Sequence, residues 1–268
     1  MTAGSLRKTK RQAPIVLMYH GTPRTNPSSP YSIRSDKFVE HLNYLKSNGW
    51  HTALASDLIN RHSDPLPDKT VLLTFDDGYA DNYEGAFLPL LEQGMTASWY
   101  ITTHCINDYA QWMGANCCET KMLNESQINE MAQEGMEIGA HTCSHPDLTT
   151  IPYTQQLAEA LQSKNRLEKI IKKEVSSFAY PYGRVNEDAI KSVRTAGYQL
   201  ALTVKPGFYN DQEDPLLIRR VTIFSTDSVA TLKRKLQFAD NDVSWKKVAS
   251  YYSKRVLSRV QRLSKTIK

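Results

Sequence analysis

Thr74-Phe75-Asp76-Asp77-Gly78 directly follows the apolar run Val71-Leu72-Leu73, and this stretch decides how the chain folds. The apolar run predicts a buried strand, and Asp76 and Asp77 stand where that strand ends. Successive side chains on a strand point to opposite faces, so the two neighbouring carboxylates diverge and can take different roles. The stretch therefore predicts a strand whose end carries chemistry.

The segment His141-Thr142-Cys143-Ser144-His145 follows a second strand-like run at residues 136–140. Histidines at i and i+4 on one turn of helix or tight loop lie on one face, and their ring nitrogens can reach one ion at about 2.0–2.1 Å. One carboxylate and two histidines make a three-ligand site with room for water, which is the pattern of a catalytic metal. Zn²⁺ suits these ligands, and Co²⁺, Ni²⁺, Mn²⁺ and Fe²⁺ are compatible with them.

Size and composition fit one α/β domain. The chain has 268 residues, of which 40% are hydrophobic, and single α/β barrels commonly have this size. The net charge of +5 is mild and the middle of the chain has no basic stripe, which argues against nucleic-acid binding. The 4 cysteines form neither a disulfide framework nor a metal knuckle, so we expect reduced thiols.

Strand and helix patterns alternate along the chain. A helical pattern that ends in glycine and a bulky residue recurs, for example at Gly94-Met95, and glycine just past a helix end is the usual C-cap. Asn124 with Gln127, and separately Asn186, predict helix starts. This alternation favours βα units and a parallel sheet or barrel. Candidate strands lie near residues 14–19, 71–75, 96–102, 136–140, 176–180, 199–204 and 217–223.

Polar residues follow several of these strands at the same end. His20 follows the first strand, Asp76 and Asp77 the second, His141 the fourth, and Pro181-Tyr182-Gly183 the fifth. In a β/α barrel the carboxyl ends of the strands converge on the face that carries the catalytic residues. We therefore expect one site, although the alternative is that these residues merely begin polar loops.

Together these segments resemble the polysaccharide deacetylases, the NodB-homology group of carbohydrate esterase family 4. TFDDG at 74–78 and His-Thr-x-x-His-Pro at 141–146 are similar to the first two family motifs. The strand at 16–20 and the phrase Phe-Ala-Tyr-Pro-Tyr-Gly at 178–183 belong to the resemblance too. It covers roughly residues 14–225 and implies a distorted (β/α) barrel of about seven strands.

Carried over by position, the resemblance implies a metal site. Asp77, His141 and His145 match the family's metal ligands, and Asp76 matches its catalytic base. A bound divalent metal lowers the pKa of its water from about 15.7 toward about 7, and the base can then take the proton.

Two positions depart from the family pattern. Many members carry an arginine that orients the base, where this chain has Ala179, so something else must hold the base. The usual general acid is a histidine late in the barrel, yet His145 is the last histidine of this chain. A branch that resembles the poly-N-acetylglucosamine deacetylases takes its acid from the first strand, which here is His20. The alternative for His20 is a hydrogen-bonded structural role.

The resemblance implies removal of acetyl groups from N-acetylated sugars of a polysaccharide or lipid-linked glycan. A backbone N–H near Tyr182, after Pro181, would help the metal to stabilise the oxyanion that forms at the acetyl carbonyl. An O-acetyl esterase or another amidohydrolase would use the same groups. The non-enzymatic alternative is a barrel that binds glycan without cleaving it. The absence of the arginine and of the late histidine gives it some weight, and the intact Asp76, Asp77, His141 and His145 argue against it.

We divide the chain into a basic extension at 1–13, a catalytic domain at 14–242 and a tail at 243–268. The tail has no acidic residue and predicts a basic amphipathic helix, either for a membrane surface or for packing on the barrel. The apolar run at 15–18 is far shorter than a signal-peptide core or a membrane span. We expect a cytoplasmic protein, with peripheral contact at the inner membrane face as one alternative, and leave the oligomeric state open.

Overall fold

The computed structural model describes residues 13–27, 29–59, 66–114, 120–247 and 249–250. Within these ranges one sheet contains the strands β1 Ile15–Tyr19, β2 His51–Ala53, β3 Thr70–Phe75, β4 Ser98–Ile101, β5 Glu137–Ala140, β6 Ser177–Ala179, β7 Leu200–Leu202 and β8 Val221–Thr222. The main helices are α1 Ser35–Ser47, α2 Leu88–Gln93, α3 Glu125–Gln133, α4 Tyr153–Ile171, α5 Glu187–Thr195 and α6 Val229–Phe238.

The strands pair in parallel and the sheet curls into a barrel. Their order is β7-β6-β5-β4-β3-β1-β8, and β2 pairs with the first half of β3 while β4 pairs with the second half. A further parallel bridge joins Leu202 at the end of β7 to Ile218, just before β8. The two edges of the sheet come together there, which confirms the predicted distorted (β/α) barrel.

The seven strands predicted from the sequence are all present, and β2 is an additional one that the prediction missed. Its sequence, His-Thr-Ala, has no apolar run, and only Ala53 is buried. Pairing with β3, rather than a pattern of its own, makes this segment a strand. The last strand is shorter than predicted, since regular pairing begins only at Val221.

Strands β1 and β3 are buried along their whole length, as expected for a parallel sheet that is covered on both faces. The ring of Phe75, the last residue of β3, stacks on Trp99 at 4.8 Å and on Tyr19 at 5.3 Å between centroids. Phe38 of α1 meets Phe75 edge-on at 5.5 Å. This aromatic cluster fixes the ends of β1 and β3 beside β4, where the chain leaves β1 and β3 toward the predicted site.

The predicted helix ends are confirmed. The side chain of Asn124 accepts a hydrogen bond from the N–H of Gln127, and the Gln127 side chain accepts one from the N–H of Asn124. Asn186 accepts from the N–H of Ala189 in the same way. Gly94 ends α2 in the left-handed conformation, with a φ of 68°. Local sequence and tertiary structure therefore agree at the helix ends that place the loops of the site.

Most of the two predicted terminal segments lies outside the described residues. Of the tail, residues 245–247 and 249–250 are helical, and Trp245 is 73% exposed with the guanidinium of Arg234 at 5.0 Å from its ring. Among the helices described here, none has both the length and the apolar character that crossing a bilayer requires. The domain boundaries and the membrane contact of the tail remain predictions.

Candidate active site

A cavity of about 510 Å³ opens at the carboxyl end of the strands. The predicted site residues meet in it, because they follow the ends of four buried strands, β1, β3, β5 and β6. Those that line the cavity are His20, Asp76, Asp77, His141, His145 and Tyr182. Pro181 precedes Tyr182 in the same short turn and is buried. The structure therefore brings the predicted residues together around one cavity, while their roles remain predictions.

Asp77, His141 and His145 form a compact buried cluster. The Nε2 atoms of His141 and His145 lie 3.4 Å and 3.3 Å from Oδ1 of Asp77. The other ring nitrogen of His141, Nδ1, lies 2.8 Å from the carbonyl oxygen of Ala179. A carbonyl can only accept, so Nδ1 carries a proton, and the Nε2 of the neutral imidazole would be the atom left to bind a cation.

Electrostatic interactions favour the charged forms of Asp77 and His141 although both side chains are buried. Burial alone would raise the pKa of Asp77, but hydrogen bonds with His141 and His145 outweigh burial and hold that pKa well below its usual range. Burial would lower the pKa of His141, but the hydrogen bond to Asp77 and the nearby carboxylate charges raise it. Asp77 and His141 thus stabilise each other's charged forms while no cation is bound.

The cluster fits a divalent metal ion. One ligand atom from each of Asp77, His141 and His145 lies within 4.8 Å of the others. In the described part of the chain, these three residues form the group of His, Cys, Asp or Glu side chains that could hold a metal ion. Neutral imidazole and carboxylate ligands suit Zn²⁺ and its neighbours in the first transition series. The Ala179 carbonyl gives His141 the outer hydrogen bond that orients metal-binding histidines in general.

A tight loop, not a helical turn, brings the two histidines together. Thr142 and His145 have φ values of 66° and 62°, in the left-handed region that few residues other than glycine adopt. The carboxylate of Glu159, on α4, accepts hydrogen bonds from the N–H groups of Cys143 at 2.7 Å and Ser144 at 2.8 Å. It also accepts one from the Ser144 hydroxyl at 2.6 Å. The sequence did not indicate this contact, which holds the strained loop against α4.

Asp76 forms its ion pair with Arg220, whereas Asp77 contacts the two histidines. The guanidinium donates two parallel hydrogen bonds, from Nη1 to Oδ1 at 2.6 Å and from Nη2 to Oδ2 at 2.7 Å. Burial alone would raise the pKa of Asp76, but the charge of Arg220 prevails and holds it below its usual range. The two adjacent carboxylates therefore diverge, as predicted from the strand geometry.

Arg220 is fully buried. This chain has Ala179 where many family members have the arginine that orients the base, and Arg220 binds Asp76 instead. Its Nε donates to the carbonyl of Thr203 at 2.9 Å, and Nη1 also donates to the Thr74 hydroxyl at 3.2 Å. The sequence analysis missed this residue. The usable signal was the pair Arg219-Arg220 inside a predicted strand, because neighbouring strand residues face opposite sides and one arginine had to face inward.

His20 leaves β1 beside these groups, and the segment after Asp81 fixes its backbone. The side-chain amide of Asn82 donates to the His20 carbonyl at 2.8 Å and to the Thr22 hydroxyl at 3.1 Å. The approach is so close that a Cβ on Gly85 would lie 2.0 Å from the Thr22 carbonyl oxygen. Burial lowers the pKa of His20, and its Nδ1 has no hydrogen-bond partner among the residues described.

Aromatic side chains complete the wall around His145. Trp112 stacks on its ring at 4.6 Å, and Tyr182 meets the ring edge-on at 4.7 Å. Tyr182 is 54% exposed and has a φ of 57°. Four of the eight non-glycine residues with positive φ in the described chain lie at this site: Asp77, Thr142, His145 and Tyr182. Such strain concentrates at functional sites, where the surrounding structure enforces it.

Comparison with known proteins shows the family of this chain. The family model for polysaccharide deacetylases matches residues 63–201. YxkH of Bacillus subtilis (strain 168), which is named as a polysaccharide deacetylase, is 32% identical over 222 residues, spanning 81% of this chain and 74% of that protein. The poly-beta-1,6-N-acetyl-D-glucosamine N-deacetylase of Staphylococcus epidermidis is 22% identical over 258 residues, with 88% of this chain and 87% of that protein covered.

Solved structures share the fold. The Streptococcus pyogenes deacetylase PplD, solved in complex with acetate, matches with a TM-score of 0.74 and 26% identity over 86% of this chain and 99% of its own. IcaB from Ammonifex degensii matches with a TM-score of 0.72 over 84% of this chain and 97% of its own, and at 24% identity this likeness shows the fold. The chain therefore belongs to the polysaccharide deacetylase family, as its motifs indicated.

Proposed function

We propose that this protein is a metal-dependent deacetylase that acts on N-acetylated sugars of a polysaccharide or a lipid-linked glycan. Membership of the polysaccharide deacetylase family supports the general activity, which is hydrolysis of acetylated glycans. One observation supports the proposed metal dependence and the N-acetyl substrate. The buried cluster of Asp77, His141 and His145 shares a cavity with the ion-paired carboxylate Asp76 and with His20.

Asp77, His141 and His145 would hold the divalent cation, with Zn²⁺ proposed first. When bound, such an ion supplies a Lewis acid that activates water and polarises the acetyl carbonyl. Asp76 is proposed as the general base. An ionised carboxylate offers about four lone-pair positions, and the two bonds from Arg220 leave others free for the proton.

His20 is proposed as the general acid that gives a proton to the leaving nitrogen. An amine leaves an acetyl group only when protonated, whereas an alcohol is the better leaving group, so this role favours N-acetyl substrates. The backbone at Tyr182, after Pro181, is proposed to donate to the developing oxyanion. The turn at 181–183 brings this backbone to the cavity wall.

Acetate release from a panel of glycans tests the proposal. The panel contains poly-N-acetylglucosamine, chitin oligomers, peptidoglycan and O-acetylated polymers, each assayed with Zn²⁺, Co²⁺ or Mn²⁺ and with a chelator. The expected result is chelator-sensitive release that Asp76→Asn abolishes. Release from O-acetylated substrates alone would favour an esterase, and glycan binding without any release would favour the non-catalytic barrel.

His20 is tested separately, on substrates that differ in the leaving group. His20→Ala is expected to lower turnover of an N-acetyl substrate by a factor of about 10² or more, within the usual range for general acid catalysis. An activated acetate ester, whose leaving group needs no proton, is expected to lose much less. A His20→Ala protein with full turnover on N-acetyl sugars would leave the histidine only a structural role.

A further inference from the structure

Tyr31 is an exposed aromatic side chain at the mouth of the active-site cavity. The residue is 49% exposed, it lines the same cavity as His20, and the two ring centroids lie 5.5 Å apart. An exposed aromatic at the rim of a polar cavity is a common binding surface, because it offers an apolar face beside hydrogen-bonding groups. Neither the family motifs nor the proposed chemistry gives this ring a role.

The surrounding chain holds the Tyr31 ring in place. Phe224, which follows β8, packs against it with centroids 5.9 Å apart. Its neighbour Ser225 donates a backbone hydrogen bond to the carbonyl of Pro30 at 2.8 Å. On the other side of Tyr31, the N–H of Ile33 donates to the carbonyl of Gly21 at 2.9 Å. A ring fixed from two segments can bind a ligand without a large ordering cost.

The position of His20 determines which part of a substrate would meet Tyr31. A general acid must come within about 2.6–3.2 Å of the nitrogen that it protonates. The acetyl carbon bonded to that nitrogen must face the Asp77, His141 and His145 cluster. The sugar carbon on the other side of the nitrogen therefore points away from the cluster, and Tyr31 lies beside His20 in the same cavity.

We propose that Tyr31 forms the subsite for the sugar ring that carries the acetylated amine, with its aromatic face packed on the apolar face of a pyranose. This inference rests on the proposed function, since the orientation follows from the roles of His20 and the metal cluster. The subsite makes the protein select an acetylated aminosugar unit over small acetyl compounds that have no ring to cover Tyr31.

The test compares Tyr31→Ala and Tyr31→Phe with the unaltered protein on a chitin pentamer and on 4-nitrophenyl acetate. Trp245→Ala, which removes an exposed aromatic outside the cavity, is the matched control. Tyr31→Ala is expected to raise KM for the pentamer by about five- to tenfold, the range of a lost aromatic contact. Tyr31→Phe and Trp245→Ala are expected to leave that KM unchanged, and all three variants should hydrolyse the small ester normally.

Binding of the pentamer to Asp76→Asn protein, with and without Tyr31→Ala, measures the subsite independently of turnover. Weaker binding in the double variant supports the subsite even if no glycan releases acetate. The absence of acetate release would contradict only the proposed function. Equal binding and equal KM would overturn the subsite. An equal loss of activity on pentamer and ester would overturn it as well, because the substitution would then be disturbing the groups that both substrates need. A lower kcat for the pentamer with an unchanged KM would also overturn it, because the ring would then be acting on His20 rather than on the sugar.

Discussion

Arg220 and Asp76 form a two-point ion pair in the centre of the barrel, although 144 positions separate them in the chain. The pair stands where the family motif would otherwise supply an arginine, at Ala179. Its bidentate geometry fixes the carboxylate in both position and rotation, which a single point charge would not do. The pair therefore supports two expectations, one about activity and one about stability.

Arg220→Lys is expected to lower kcat at least tenfold while the protein still folds. Lysine keeps the positive charge but cannot form the planar fork that orients Asp76. Arg219→Lys is the matched control, because Arg219 is the neighbour of Arg220 and pairs with Glu213 at the protein surface, at 2.6 Å. The measurement is acetate release together with thermal unfolding. Equal activity of the two variants would show that Asp76 needs only a nearby charge.

Arg220→Ala is expected to destabilise the fold by about 3–5 kcal/mol, because it leaves a buried carboxylate without its partner. Arg219→Ala removes only a partly exposed pair and is expected to cost less than about 1 kcal/mol. Chemical denaturation at neutral pH measures both. A small effect of Arg220→Ala would mean that water enters the barrel and solvates Asp76.

Glu159→Ala is expected to weaken Zn²⁺ binding by about tenfold or more, as is common when groups that orient a metal site are removed. The loop between His141 and His145 then loses the three hydrogen bonds that hold its strained conformation. Competition with a chromogenic chelator gives the dissociation constant. Glu168→Ala is the control on the same helix, since Glu168 binds the N–H of Val175 and pairs with Lys164. If both variants bind Zn²⁺ equally, the loop needs no help from α4.

Metal binding is expected to raise the free energy of unfolding, because the three ligands come together only in the folded chain. At a free Zn²⁺ concentration about 1,000 times the dissociation constant, the gain is about 4 kcal/mol. Thermal unfolding with Zn²⁺ or with a chelator measures it. His141→Ala should unfold at the same temperature under both conditions, and a metal-dependent shift in that variant would place the ion elsewhere.

His41 is expected to make stability depend on pH between about 4 and 6.5. Its ring is buried between the Tyr19 hydroxyl and the Asp227 carbonyl, and burial lowers its pKa from 6.5 to about 4. The unfolded chain therefore binds more protons in this range, so stability is full above pH 6.5 and falls as the pH drops toward 4.

The size of the His41 contribution follows from its pKa shift. At about 1.4 kcal/mol per pKa unit, the loss is about 3 kcal/mol. Denaturant unfolding of the protein and of His41→Gln, compared at several pH values, isolates this histidine from other titrating groups. Parallel pH profiles of the two proteins would show that the imidazole is not protonated on unfolding.

The barrel could be predicted from the sequence because its strands and helix ends have local signals. Buried parallel strands appear as apolar runs, and Asn124 and Gly94 mark helix ends by their own chemistry. The same holds for Asp76, Asp77 and His141, which stand next to strands that the pattern identifies. These residues meet in space because parallel strands end on one face, so the site could be expected before its distances were known.

Other parts of the site could not be predicted, because they depend on contacts between distant segments. Glu159 has no local feature that separates it from any other acidic residue on a helix. Asn82 reaches the His20 carbonyl only because Gly85 lets the two loops approach closely. The sequence did contain a signal for Arg220, which is the pair of arginines inside a predicted strand. Its partner Asp76 could be identified only from the structure, where the curled sheet brings the two residues together.

The pairing of β8 with β1 has a consequence for the order in which this protein becomes functional. A growing chain emerges from its amino end, so β1 has to wait for its second neighbour until residues 221–222 have been made. Arg220 arrives in the same step, immediately before that strand. A nascent chain that already contains Asp76, His141 and His145 therefore lacks both its closing strand and the partner of its buried carboxylate. Folding and hydrolytic competence should be acquired together, late in synthesis.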